Sequence, residues 1–242
     1  MSNNAIPDIA EITGVILAGG KGSRLSSAVS DRPKVLAEIC GRPFLTFLLD
    51  QLVSAGLKQV ILCTGYMAEE IRKEIGASYK SLQIIHSPEY TPLGTAGAAR
   101  NALKHLRSDM LILMNGDSFC EVDFNAYWQW YFKKDREAAL LLTHVENSKR
   151  YGKVAIAADE AILSFQEKDQ NSNEYLINAG IYIFHKELLT SIPPERFYSL
   201  EHDFLPNIIG SGIYGYCCHG KFIDIGTPES YRFAEDFFQA EN

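Results

Sequence analysis

Leu17-Ala18-Gly19-Gly20-Lys21-Gly22-Ser23-Arg24-Leu25 places three glycines within four positions and an arginine just beyond them, and Pro33-Lys34 returns a second cation nearby. Glycine backbone can approach a bulky group closely and aim its N–H groups at it. With Arg24 and Lys34 beside it, such a turn suits a polyphosphate. Two carboxylates could add a metal. The apolar run 110–114 leads through Asn115 and Gly116 to Asp117, and Phe222-Ile223 delivers Asp224 before Gly226 and Pro228 turn the chain into a helix. Magnesium takes a few carboxylates and lets phosphates and waters fill the rest of its octahedron, so Asp117 and Asp224 are candidate Mg²⁺ ligands. The plainer alternatives are a strand-end turn for Asp117 and a helix cap for Asp224.

Two common phosphate loops do not fit. The dinucleotide fingerprint wants a third glycine where Leu25 stands, and an acid closing the second strand, where Val60-Ile61-Leu62-Cys63 runs into Thr64-Gly65. The pattern G-x-x-x-x-G-K-[ST] fails at the first loop because Gly22 follows Lys21. It reappears at residues 215–221, but Phe222 replaces the metal-binding hydroxyl and the segment leads into a strand.

The elements that must position these groups follow from periodicity. Apolar runs predict strands over 15–18, 60–63, 82–86 and 110–114, alternating with helical spacing over 44–55, 68–75 and 96–106. Leu45, Leu48, Leu49, Leu52 and Val53 make one such helical face. Repeated strand–helix units imply an α/β fold with a Rossmann-like, mixed but mainly parallel sheet and helices on both faces. Ligands of such sheets bind at the carboxyl ends of the strands, where the glycine loop and Asn115-Gly116-Asp117 both fall. After a helix over 124–136, shorter strands over 138–143, 153–156, 162–166, 179–184, 214–217 and 222–224 predict a smaller, mixed or antiparallel lobe on the same sheet. The expectation is a single domain with a nucleotide-binding half over about 14–136 and a substrate half over about 137–242. A closing helix over 228–239 turns Tyr231, Ala234, Phe237 and Phe238 to the core, and Trp128 and Trp130 read as core or subunit contacts.

Composition sets outer bounds. A chain of 242 residues with 46% hydrophobic content can bury a sizeable core. A net charge of −7 argues against general nucleic-acid binding but allows a basic cleft for a small anion. No apolar run reaches membrane-spanning length, and residues 1–10 lack the features of a signal peptide. Five cysteines without C-x-x-C spacing read as free thiols in a reducing cytoplasm. The expected partners are small molecules, without nucleic acid or membrane; a homo-oligomer is compatible with the sequence.

The ordered set G-G-x-G-S-R-L, P-K, G-D after a core strand and D-x-G-T before a late helix resembles the sugar-1-phosphate nucleotidyltransferases, and the likeness runs from Val15 to Phe238. It implies the nucleotide-diphospho-sugar transferase fold. It also implies attack of a sugar 1-phosphate oxygen on the α-phosphorus of a nucleoside triphosphate, with Mg²⁺ as cofactor and pyrophosphate leaving. The resemblance carries Arg24 to the departing pyrophosphate, Lys34 to the phosphates near the reaction centre, and Asp117 and Asp224 to the metal. Leu17, Ala18, Gly19, Gly20, Lys21, Gly22, Ser23, Asn115 and Gly116 fall to the nucleotide. Gly94-Thr95-Ala96 corresponds to a G-T-A element near base and ribose, with small residues leaving room for a flat ring. Glu167 and Lys168 correspond to an E-K pair on the sugar hydroxyls and acceptor phosphate, Asn178 to an N-[AT]-G that approaches the sugar, and Tyr151-Gly152 to a Y-G beside it. An exposed charge pair is the plainer reading of Glu167-Lys168. His86 could read a base edge, but packing explains it more simply.

Many members carry P-L-T before Pro-Lys. Here the spacer is Ser26-Ser27-Ala28-Val29-Ser30-Asp31-Arg32. This V-x-D-x-P-K segment, with Gly41-Arg42-Pro43-Phe44-Leu45 after it, resembles the D-glycero-α-D-manno-heptose 1-phosphate guanylyltransferases of bacterial surface-polysaccharide synthesis, which implies GTP and a heptose 1-phosphate. A uridylyl- or cytidylyltransferase acting on another sugar 1-phosphate, such as N-acetylmuramate 1-phosphate, stays open, because base choice rests on a few pocket hydrogen bonds. A non-catalytic nucleotide-sugar sensor on the same fold is disfavoured by the presence of all four charged groups.

Overall fold

Apolar runs too short for helices become the central strands of the computed structural model, which describes residues 6–133, 136–145, 151–166 and 175–239. In chain order the first are β1 (Thr13–Leu17), β2 (Glu38–Ile39), β3 (Arg42–Pro43), β4 (Gln59–Thr64), β5 (Ser78–Tyr79), β6 (Leu82–Pro88) and β7 (Met110–Asn115). Helix α1 (Phe44–Ser54) leads into β4, α2 (Ala68–Ile75) into the β5–β6 hairpin, and α3 (Gly94–Ala102) towards β7. β1 lies parallel between β4 and β7, and β6 lies parallel on the far side of β4. The chain therefore moves outward from β1 through β4 to β6, then crosses back to the other side of β1. Loops leaving β1 and β7 diverge at that reversal and open a crevice at the carboxyl edge. Leu17 pairs in register with Asn115, so the glycine loop and Asn115-Gly116-Asp117 start at the same level.

The second half extends the same sheet. It comprises β8 (Ser118–Cys120), β9 (Ala138–Val145), β10 (Lys153–Ile156), β11 (Ile162–Gln166), β12 (Tyr175–His185), β13 (Ile213–Cys218) and β14 (Phe222–Asp224). β12 runs antiparallel to β7, β9 and β10, and β13 parallel to β9. Ten strands thus form one sheet among the described residues. β8 and β14 stand apart as an antiparallel pair.

Alternate residues of the central strands supply the two faces, as a period of two requires. Ile16, Leu62, Ile112 and Met114 pack with Leu45, Leu48, Leu49 and Leu52 of α1. Val15, Ile61, Leu111 and Leu113 pack with Ala96, Ala99 and Ala102 of α3. Helix α6 (Pro228–Gln239) closes the first face: the Phe238 ring stacks 4.0 Å from Phe47, and the Tyr231 hydroxyl donates to the Glu38 carbonyl at 2.7 Å.

Several boundaries differ from expectation. Helix α3 starts at Gly94 and tightens into a 3₁₀ turn over Leu103–His105. Helix α4 (Phe124–Phe132) stops short of residue 136. Arg136 leaves the helical path to lay its guanidinium 3.7 Å over the Trp130 ring and pair with Glu160 at 3.0 Å. Trp128 donates its ring N–H to the Pro7 carbonyl at 2.8 Å, a core role for that residue. A short helix α5 (Lys186–Thr190) and a π-helical turn over Leu200–Phe204 were not expected. No helix among the described residues is long and apolar enough to cross a membrane.

Gly116 marks the closest approach beneath the crevice. Its N–H donates to the Leu17 carbonyl at 3.0 Å, and an added Cβ would strike that same oxygen and approach Val35 at 3.0 Å. Overpacking of this kind costs roughly 1–3 kcal/mol. Gly116→Ala is therefore expected to lower Tm by roughly 5 °C in a thermal melt; an unchanged Tm would show that β1 and β7 can part there at no cost.

Candidate active site

The crevice widens into a cleft of about 1420 Å³ between the glycine loop, the end of β7 and the second half of the sheet. Leu17, Gly19, Gly20, Lys21, Gly22, Ser23, Arg24 and Lys34 line one side. Ala18 does not; it is buried behind the wall, with its N–H donated to the Cys63 carbonyl at 2.8 Å. Gly22 has φ of +60°, and a Cβ there would come within 3.0 Å of the Lys34 side chain. Glycine at that position therefore fixes the bend and leaves the lysine its path. Leu25, 1% exposed, anchors the end of the loop in the core.

Lys34 begins a 3₁₀ turn after Pro33 and puts its Nζ 2.7 Å from Asp117 Oδ2. Its side chain is 9% exposed, against 42% for Asp117. Asp224 arrives beside Asp117 because β14 pairs with β8: Ser118 faces Asp224 in register, and the Ile225 N–H donates to the Asp117 carbonyl at 2.9 Å. Asp224 Oδ1 accepts the Gly226 N–H at 2.8 Å, and its Oδ2 accepts the Tyr151 hydroxyl. The cap of α6 falls to Thr227, whose hydroxyl accepts the Ser230 N–H at 3.3 Å, so Asp224 is not spent on capping. Two carboxylates on adjoining strand ends, beside the glycine loop and its cations, are a donor set that suits a hard cation sharing its shell with phosphates. Among the described residues no group of three or more His, Cys, Asp or Glu side chains gathers as a self-sufficient metal cage.

The opposite wall comes from the second half. At Gly180, with φ of +77°, β12 departs from regular pairing with β9, and the register resumes at Tyr182. The irregularity lets Asn178 line the cleft; its amide N–H₂ donates to the Tyr182 hydroxyl at 2.8 Å and its carbonyl accepts the Gly180 N–H at 3.0 Å. Gly152, Asn115, Gly116, Gly94 and Thr95 also line the cleft. The small residues of Gly94-Thr95-Ala96-Gly97 make room for backbone rather than only for a ligand ring. The Tyr198 carbonyl accepts N–H groups from Ala96 and Gly97, and the Thr95 hydroxyl accepts the Leu200 N–H at 2.8 Å. Glu167 and Lys168 lie outside the described residues. His86 is off the cleft, with Nε2 2.7 Å from the Gly76 carbonyl.

Sequence reasoning missed Glu89 and the pair Glu201-His202, all of which line the cleft. Glu89 follows β6 and sits against Gly65 and Gly19, while its Oε2 accepts the Leu93 N–H at 3.2 Å. Burial pushes its carboxyl above the usual range, and the Leu93 bond offsets part of that. The strand-edge rule that found Asp117 would have found it too. Glu201 rides on the π-helical turn, and although part of the residue reaches solvent, crowding by the cleft wall raises its carboxyl. The negative charge of Asp117 adds to this, and His202 and Arg24 act against it. No periodicity announces that turn; the only signal is a charged triplet held between Leu200 and Phe204.

Comparison with known proteins agrees with this geometry. Residues 13–241 match the nucleotidyl transferase family. The chain is 36% identical over 226 residues to the D-glycero-α-D-manno-heptose 1-phosphate guanylyltransferase of Aneurinibacillus thermoaerophilus, spanning 93% of this chain and 97% of that protein. It is 33% identical to the mannose-1-phosphate guanylyltransferase of Mycobacterium tuberculosis, over 91% of this chain and 63% of that longer protein. Among solved structures, HddC from Yersinia pseudotuberculosis complexed with GMP-PN superposes with a TM-score of 0.83 at 33% identity, covering 94% of this chain and 99% of that one. The inositol-1-phosphate CTP transferase of T. maritima, 18% identical with a TM-score of 0.76, shares the nucleotide-diphospho-sugar transferase fold. Because the match reaches from the first strand past the late acid Asp224, it takes in both walls of the cleft, and the chain belongs to the nucleotidyl transferase family.

Proposed function

We propose that this protein is a guanylyltransferase that joins GTP to a sugar 1-phosphate, with D-glycero-α-D-manno-heptose 1-phosphate as the sugar, for bacterial surface-polysaccharide synthesis. The observation that carries the transfer reaction is the convergence of Asp117, Asp224, Lys34 and the Arg24 loop on one cleft. The attacking phosphate oxygen is already anionic at neutral pH, so the reaction needs no strong base. Its difficulty is bringing two polyanions together, and catalysis reduces to positioning and charge neutralisation. In this reading Asp117 and Asp224 hold Mg²⁺, which supplies charge neutralisation and a template for phosphate oxygens. Lys34 offers its ammonium to the phosphates from beside Asp117, and Arg24 takes charge developing on the leaving pyrophosphate. Asn178 and Gly152 face the sugar, and the family resemblance adds Lys168 for the acceptor phosphate and Glu167 for the hydroxyls. Both halves work as one domain. The thiols of Cys40, Cys63, Cys120, Cys217 and Cys218 are free, which suits a reducing cytoplasm.

Glu89 favours guanine. The guanine edge presents N1–H and N2–H₂ side by side, two donors that one carboxylate can accept together; no other common base offers that pair. The relatives named for guanylyl transfer support the same base. A pyrophosphate-release panel of four nucleoside triphosphates against heptose, mannose, glucose and N-acetylmuramate 1-phosphates tests the whole reading. GTP with the heptose phosphate is expected to give the highest kcat/KM. Preference for UTP or CTP would overturn the base, and no release with any pair would favour the sensor. Glu89→Gln is expected to cut kcat/KM for GTP by about 10–100-fold, the worth of a bidentate charged contact, and to narrow the gap between GTP and ITP, which lacks the 2-amino group. An unchanged GTP/ITP ratio would remove Glu89 from base reading.

A further inference from the structure

Away from the cleft, two cysteines meet where β8 and β13 end. Cys120 is buried and Cys218 half-buried. Both sulfurs face the Glu121 carbonyl oxygen, Cys218 at 3.2 Å and Cys120 at 4.0 Å, so one oxygen atom brings the two thiols side by side. The Cys218 sulfur also accepts the Gly220 N–H at 3.3 Å. No comparable arrangement surrounds the other thiols: Cys40 faces the Glu235 carbonyl and Cys63 the Ala98 carbonyl. Cys217 precedes Cys218 on β13, so its side chain points to the opposite face of the strand.

We propose that Cys120 and Cys218 form a reversible dithiol–disulfide pair, a modification site whose reactant is a hydroperoxide. Cys218 is the nucleophile: it is the more accessible of the two, and the Gly220 N–H that its sulfur accepts favours the thiolate, which is the reactive form. Neighbouring Cys120, with the Gly220 N–H and His219, draws its thiol below the usual range, to about 6. Its sulfur attacks one oxygen of hydrogen peroxide and the O–O bond breaks. Cys218 becomes a sulfenic acid, and the other oxygen leaves as hydroxide and is protonated to water. The Cys120 sulfur then attacks the Cys218 sulfur, the S–O bond breaks, and the hydroxyl departs with the Cys120 proton as a second water. The dithiol loses two electrons and the peroxide gains them. A thiol reductant reverses the step by exchange. Their shared place on the Glu121 carbonyl gives the sulfenic acid a resolving partner before a second peroxide can reach it.

Hydrogen peroxide added to the purified full chain, followed by intact-mass measurement and non-reducing peptide mapping, tests this. The expected result is a loss of about 2 Da, a cross-linked pair of peptides containing Cys120 and Cys218, and full reversal by dithiothreitol. Cys217→Ser should keep the cross-link and Cys218→Ser should lose it. In the reduced protein, iodoacetamide at neutral pH should label Cys218 ahead of Cys40 and Cys217; burial pushes the Cys217 thiol up. A cross-link through Cys217 or Cys40 would overturn the proposal. So would a gain of about 32 Da on Cys218 without a cross-link, or no change in mass at all.

Discussion

Asp224→Asn is expected to lower kcat for pyrophosphate release by about three orders of magnitude while leaving the fold in place. A catalytic metal supplies several kcal/mol of transition-state charge stabilisation, and each 1.4 kcal/mol is roughly tenfold in rate. The substitution removes the charge and reverses the Tyr151 contact, since an Asn amide can only donate to the phenol oxygen that now donates to Asp224 Oδ2. An Asn Oδ1 can still accept the Gly226 N–H, now at 2.8 Å, and the α6 cap at Thr227 is untouched. Thermal melting should therefore move little while turnover collapses, and raising Mg²⁺ should recover only part of it. Turnover within tenfold of the parent would show that Asp224 only shapes the turn before α6. Asp117→Asn is a less clean experiment, because it also strips Lys34 of its 2.7 Å partner.

Arg24→Ala should lower kcat by about 10²–10⁴-fold, the range seen when a cation facing a phosphoryl-transfer transition state is removed. Arg24 follows the glycine turn and lines the same cleft as both acids. Charge builds on the leaving pyrophosphate as the bond to the α-phosphorus breaks, so the loss belongs in kcat more than in KM for GTP. Arg24→Lys should restore little, because an ammonium cannot reproduce the planar fork of a guanidinium on two phosphate oxygens. Steady-state kinetics of both variants decide the matter. Near-parental kcat in the alanine variant would make Arg24 a solvated surface cation.

The parallel half of the fold was legible because β1, β4 and β7 are buried on both faces and read as unbroken apolar runs. The same runs put Asp117 and the glycine loop at one edge, and the late strand–turn signal at residues 222–228 marked Asp224. What escaped depends on side-chain and backbone contacts that periodicity does not carry. Helix α3 starts early because the Tyr198 carbonyl receives its first N–H groups, a partner about a hundred residues away. Helix α4 ends early because Arg136 finds the Trp130 ring and Glu160 more favourable than another helical turn. The π-helical turn that presents Glu201 and His202 has no period of its own, and Ser199 and Asp203 hold it through side chain–backbone bonds. Ala18 was assigned to the nucleotide as part of a contiguous motif. A loop running along a wall must turn some residues inward, and the Cys63 carbonyl claims this one.

The β8–β14 ladder has a consequence for biosynthesis. Synthesis delivers the glycine turn, Lys34 and Asp117 early, whereas Asp224 joins them only after β14 has emerged and docked on β8. On the proposed reading, a nascent polypeptide on the ribosome displays the glycine turn with half of its acidic pair, and a product truncated before β14 would lack Asp224 and so could not consume triphosphate unproductively.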